Sequence, residues 1–160
     1  NANAQFPQLV PTRIGLVRFG GSPAVGRMYK LVSKVPTGGS LFQLPSSSPA
    51  TTGGSLTVRI GSGTLSCTLP ASLFNGTVGW KELGTPAGSK GYKYLNKNAP
   101  TTAPCKIVIV KEKVIKVLAL GTGTIAVPVD SPLGNPDIST MLTLGGDDYC
   151  AYDGTGAGLP

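Results

Sequence analysis

Cys105-Lys106-Ile107-Val108-Ile109-Val110-Lys111-Glu112-Lys113-Val114-Ile115-Lys116-Val117-Leu118-Ala119-Leu120 is the longest stretch of this chain free of both glycine and proline. It is dense in Val and Ile, whose branched Cβ suits a pleated strand better than a helix. Its apolar positions recur every second residue: Cys105, Ile107 and Ile109 share one face, and Ile115 and Val117 share another with Lys116 opposite. The polar triplet Lys111-Glu112-Lys113 divides it, so it reads as a β-hairpin with a charged tip. With Glu112 at the centre, Cys105 lies opposite Ala119, and the partner strand offers it no cysteine.

The same period-two pattern runs outward from this hairpin. Leu56, Val58 and Ile60 alternate with Thr57 and Arg59, and Leu65, Cys67 and Leu69 with Ser66 and Thr68. Tyr92 and Tyr94 flank Lys93. Ile125, Val127 and Val129 share a face, Leu142 and Leu144 flank Thr143, and Tyr149-Cys150-Ala151-Tyr152 reads as a last strand. Turn residues cluster at 36–40, 45–55, 61–63, 84–90, 96–104, 121–123 and 131–137. Gly (23) and Pro (14) make up nearly a quarter of the 160 residues, and few windows long enough for a helix escape them. Hydrophobic residues are 40% of the chain, more than a disordered segment of such composition carries. The expectation is an all-β sandwich or jelly-roll-like domain over residues 22–160, with little or no helix.

Residues 1–21 differ. Asn1–Gln8 is polar, and Pro7 and Pro11 oppose regular pairing. Arg13-Ile14-Gly15-Leu16-Val17-Arg18-Phe19 then forms a strand candidate ahead of Gly20-Gly21. That strand, with Arg13, Ile14, Leu16, Val17 and Phe19 as its assembly residues, either opens the domain's own sheet or leaves the domain as a donor strand for a neighbouring subunit.

Composition narrows the chemistry. There is no histidine, so Ser-His-Asp and Cys-His catalysis are excluded. Three scattered cysteines lack the C-x-x-C spacing of a zinc site, and no phosphate-binding loop is present. The reading is a non-enzyme with no cofactor. Asp147, Asp148 and Asp153 are the one candidate calcium cluster, set against a solvated turn after Gly145-Gly146. Trp80, Tyr92, Tyr94, Tyr149 and Tyr152 are a candidate aromatic platform for sugar, set against burial in a core. Asn75-Gly76-Thr77 matches a glycosylation sequon. For a disulfide, Cys67–Cys150 is favoured over Cys105–Cys150, with three free thiols as the other alternative. The net charge is +7, but the basic residues are spread along the chain. They read as solvated lysines before they read as a nucleic-acid surface.

A further set of landmarks is Pro49-Ala50-Thr51-Thr52-Gly53-Gly54-Ser55, Leu69-Pro70-Ala71, Trp80, Gly91-Tyr92-Lys93-Tyr94, Pro104-Cys105-Lys106 and Asp148-Tyr149-Cys150-Ala151. This succession, over residues 30–155, resembles a β-rich module recurring in secreted bacterial proteins. The resemblance implies export and a β fold and carries over no catalytic residue. The module's pattern places a cysteine near position 119; Ala119 stands there instead, a departure from the module's disulfide pattern.

The sequence therefore leads to a secreted structural subunit of an extracellular filament, sheath or surface layer, a homopolymer built by strand addition. The opening Asn1-Ala2-Asn3-Ala4 fits a mature N-terminus after signal cleavage, and no apolar run is long enough to span a membrane. The alternative is a non-catalytic binding module for carbohydrate or a cell-surface glycan. A viral coat subunit ranks third, because Arg13, Arg18 and Arg27 are few for an arm that holds nucleic acid.

Overall fold

The computed structural model describes residues 8–9, 28–60, 63–121 and 138–153. The strand candidates Arg13–Phe19 and Ile125–Val129 lie outside the described residues. Among the described residues there are ten strands: β1 (Gln8–Leu9), β2 (Met28–Lys34), β3 (Gly54–Ile60), β4 (Gly63–Leu69), β5 (Val78–Leu83), β6 (Gly91–Asn96), β7 (Cys105–Lys111), β8 (Val114–Leu120), β9 (Ile138–Leu144) and β10 (Asp147–Asp153). One helical turn, α1 (Pro49–Thr52), is capped by the Ser48 side chain.

The strands form two five-stranded sheets, in the orders β1-β10-β9-β3-β4 and β2-β8-β7-β6-β5. All pairs are antiparallel except β1 with β10, where Gln8 aligns with Tyr149 and Leu9 with Cys150. The chain is an all-β sandwich, as its alternation predicts. Inner faces carry the apolar set: Leu56, Val58 and Ile60 of β3, Leu65, Cys67 and Leu69 of β4, Val108 and Val110 of β7, and Ile115, Val117 and Ala119 of β8 are all buried in one core.

The central hairpin forms by a route different from the one the sequence suggests. Lys111 pairs with Val114, so the turn is the two residues Glu112 and Lys113, and a bulge between Cys105 and Ile107 then shifts the register. The two offsets cancel, and Cys105 meets Ala119 as expected.

The β9–β10 hairpin turns on Gly145 and Gly146, with φ of 58° and 88°. Two successive left-handed residues define the turn whose twist matches a two-residue hairpin, and glycine adopts them without steric cost. The segment before α1 packs on this turn. Ser46 N–H donates to the Asp147 carboxylate at 2.5 Å, and Tyr149 Oη donates to the Gln43 carbonyl at 2.8 Å.

Three buried contacts tie the interior together. Tyr29 Oη of β2 and Thr140 Oγ1 of β9 share a hydrogen bond of 2.5 Å across the two sheets. Trp80 packs against Tyr94 with ring centroids 5.3 Å apart, and its indole N–H donates to the Pro70 carbonyl. A disulfide joins Cys67 of β4 to Cys105 of β7, with Cα atoms 6.1 Å apart.

That pairing corrects the expected Cys67–Cys150 bond. Successive strand residues face opposite sides. Tyr149 and Ala151 are buried, so Cys150 between them faces outward, and its thiol is free. Cys67 shares the inner face with Leu65 and Leu69 and meets Cys105 across the core.

Candidate functional site

The aromatic platform does not exist on the surface. Trp80, Tyr92, Tyr94 and Tyr149 are all buried; only Tyr152 reaches partway out. Inward positions of β5, β6 and β10 carry these rings, and burial raises the tyrosine pKa values, that of Tyr29 to about 12. They are structural groups.

The three aspartates are not brought together. Asp147 is buried and holds Ser46, whereas Asp148 faces outward and accepts from Thr143 Oγ1 at 2.6 Å. Asp153 ends the same strand, six residues or about 20 Å from Asp147 at ordinary strand rise. Among the described residues no group of three metal-ligating side chains converges.

Asn75 is exposed in the segment before β5, and its side-chain oxygen accepts from the backbone N–H groups of Thr77 and Val78 at 2.9 and 3.0 Å. The sequon thus sits in a side-chain-stabilised turn.

The sheet edges differ in how they are finished. The outer edge of β5 is closed by the preceding segment. Trp80 N–H donates to the Ser72 carbonyl, Phe74 N–H to the Trp80 carbonyl and Asn75 N–H to the Val78 carbonyl. The edge strand β2 carries the exposed Lys30 and Lys34, a usual guard against edge pairing.

β4 has neither protection. Among the described residues it pairs with β3 alone. It is seven residues long, without lysine, proline or bulge, and its exposed side chains are Thr64, Ser66 and Thr68. Beside it runs a cleft of about 620 Å³ between the two sheets, lined by Ser66, Thr68, Pro70, Asn96, Thr102 and Pro104 among others. Its far wall is the 96–104 loop, where Asn96 accepts from Asn98 N–H and donates to Thr102 Oγ1. An uncharged edge strand beside a cleft, with no second partner strand among the described residues, is the geometry that accepts an added strand.

The sequence marks β4 as a strand but holds no sign that it is an edge, because edge position follows from sheet order. The candidate site is thus the β4 edge and its cleft on a disulfide-linked β-sandwich. No known protein family, curated protein or solved structure matches the chain. No helix among the described residues is long and apolar enough to cross a membrane.

Proposed function

We propose that this chain is a non-catalytic structural subunit of an exported assembly, joined to its neighbours by β-strand addition, with β4 as the acceptor edge and Arg13–Phe19 as the donor. The observation that carries this reading is the contrast between edges. The fold closes β5 with its own backbone and guards β2 with lysines, whereas β4, beside a cleft, pairs among the described residues with β3 alone. A strand docked there satisfies the N–H and C=O groups of β4 that have no partner strand among the described residues and places alternate side chains in the cleft. Head-to-tail contacts of this kind build open fibres when they do not close into a ring. The inter-sheet disulfide is compatible with an oxidising compartment.

Two variants test it. Ser66→Lys/Thr68→Lys puts charge on the acceptor edge without touching the core, and Leu16→Asp spoils the donor. Negative-stain imaging and sedimentation of the parent at high concentration are expected to show polymers, and both variants are expected to stay monomeric with unchanged melting temperature. Polymers in either variant, or a parent that stays monomeric, sink the proposal.

A further inference from the structure

The outer face of the β2-β8-β7-β6-β5 sheet carries a field of lysines that the chain order conceals. Lys30 and Lys34 of β2, Lys116 of β8, Lys111 of β7, Lys93 of β6 and Lys81 of β5 all point from it. The register places Lys81, Lys93, Ile109, Lys116 and Val32 in one row straight across all five strands. Lys81 and Lys93 are direct cross-strand partners, an arrangement of like charges that opposes folding.

Among the described residues nothing on this face offsets those charges. None of its outward strand positions among the described residues is acidic. Glu112 sits in the β7–β8 turn between Lys111 and Lys113, and Glu82 accepts from Ser48. Asp147, Asp148 and Asp153 belong to the other sheet. At the β5 margin the Phe74 ring lies 4.5 Å from Lys81 Nζ and 5.4 Å from Lys97 Nζ. That contact steadies two ammonium groups beside one another, and among the described residues no acidic side chain is placed against them.

We propose that this face binds an acidic polysaccharide, one carrying regular carboxylate or sulfate groups, laid across the strands along the Lys81–Lys93–Lys116 row. Neighbouring strands lie about 4.8 Å apart, so the row presents cations at one- and two-strand intervals to a chain with repeating anions. The half-buried Leu95, Ile107, Ile109 and Leu118 between the lysines give sugar rings a flat apolar bed. Charge complementarity selects this occupant. A second copy of the same face brings lysine against lysine. Among the described residues the face has no arginine and no exposed aromatic, the groups that read and stack nucleic-acid bases. The large exposed hydrophobics Leu41, Leu73 and Met141 are not on its strands, so it lacks the apolar anchors of a membrane-surface element.

The face belongs to the sheet opposite β4, so binding and assembly stand or fail separately. The test uses the full chain with heparin and polygalacturonate as probes, and with single-stranded DNA and phosphatidylglycerol vesicles as competitors. Lys93→Gln/Lys116→Gln is compared with Arg59→Gln/Lys90→Gln, which removes the same net charge from the other sheet and the β5–β6 turn. Binding to at least one polysaccharide that weakens with salt is expected. The face variant is expected to lose about tenfold in affinity, and the control variant less than twofold. Equal losses in the two variants, no binding at low salt, or tighter binding of DNA or vesicles overturns the proposal.

Discussion

Cys67 and Cys105 stand 38 residues apart in sequence and join an edge strand of one sheet to the middle strand of the other. A bond closing a loop of that length removes about 4 kcal/mol of disorder from the unfolded chain in the chain-entropy treatment. Cys67→Ala/Cys105→Ala is expected to lower unfolding stability by about that amount in urea titration. A loss under about 1 kcal/mol shows that the bond is not closed in the folded protein.

Cys150 is expected to be the one thiol that reacts in the folded, unreduced chain. Its thiol is half-buried and its pKa is raised, first by burial and then by the nearby Asp148 carboxylate. Titration with a disulfide reagent at pH 8 is expected to give one equivalent, released more slowly than from a small free thiol. Cys150→Ser is expected to abolish the signal and leave stability unchanged. A second reactive equivalent contradicts the Cys67–Cys105 pairing.

Alkali is expected to unfold the protein through its buried tyrosines. Burial raises Tyr29 from 10.0 to about 12, opposed only in part by its hydrogen bond to Thr140. Tyr92, Tyr94 and Tyr149 are raised as well, each chiefly by burial. The unfolded chain therefore gives up these protons at lower pH than the native one, and stability falls as pH rises. It is fully present below pH 10 and declines through pH 12, by about 2 kcal/mol for Tyr29 alone. Denaturant midpoints at pH 8, 10 and 11.5 check this. A flat profile across that range contradicts burial of these phenols.

The two glycines of the β9–β10 turn are expected to differ. A Cβ at Gly146 meets nothing within 4 Å, so Gly146→Ala carries only the cost of a left-handed alanine, about 1 kcal/mol. At Gly145 a Cβ runs into the Ser47 carbonyl and also crowds Pro45. Gly145→Ala is expected to cost roughly twice as much or more, because the 45–48 segment must shift. Thermal melts of the two variants read the difference directly, and equal losses contradict the packing of that segment on the turn.

Where one face is apolar and the other polar, the strands are legible from residue order alone. β3, β4 and the β7–β8 hairpin show that pattern, and their pairing follows from short turns. Met28–Lys34 is not legible in this way, because the buried Ser33 and the half-exposed Val32 blur its alternation. Gly79 and Glu82 do the same for Val78–Leu83. The disulfide is not legible, because an apolar segment does not say which of its faces turns inward: Tyr149 and Ala151 turn inward, so Cys150 turns out. The aromatic rings suggested a sugar surface for the same reason. The lysine row and the open edge of β4 depend on register and sheet order, which gather residues far apart in the chain, and no local pattern records them. Arg13–Phe19, the proposed donor, lies outside the described residues, and its role rests on the assembly experiment.

β4, the proposed acceptor strand, is also the strand that carries Cys67. A load applied along β4 does not have to be borne by side-chain friction between the layers. It passes through a covalent link into β7, which lies between β8 and β6, and is shared across a sheet hydrogen-bonded on both sides. Tyr29 and Thr140 form a second, weaker rivet between the layers. The two layers are thus joined by a covalent and a hydrogen-bonded link, so separating them breaks more than apolar contacts.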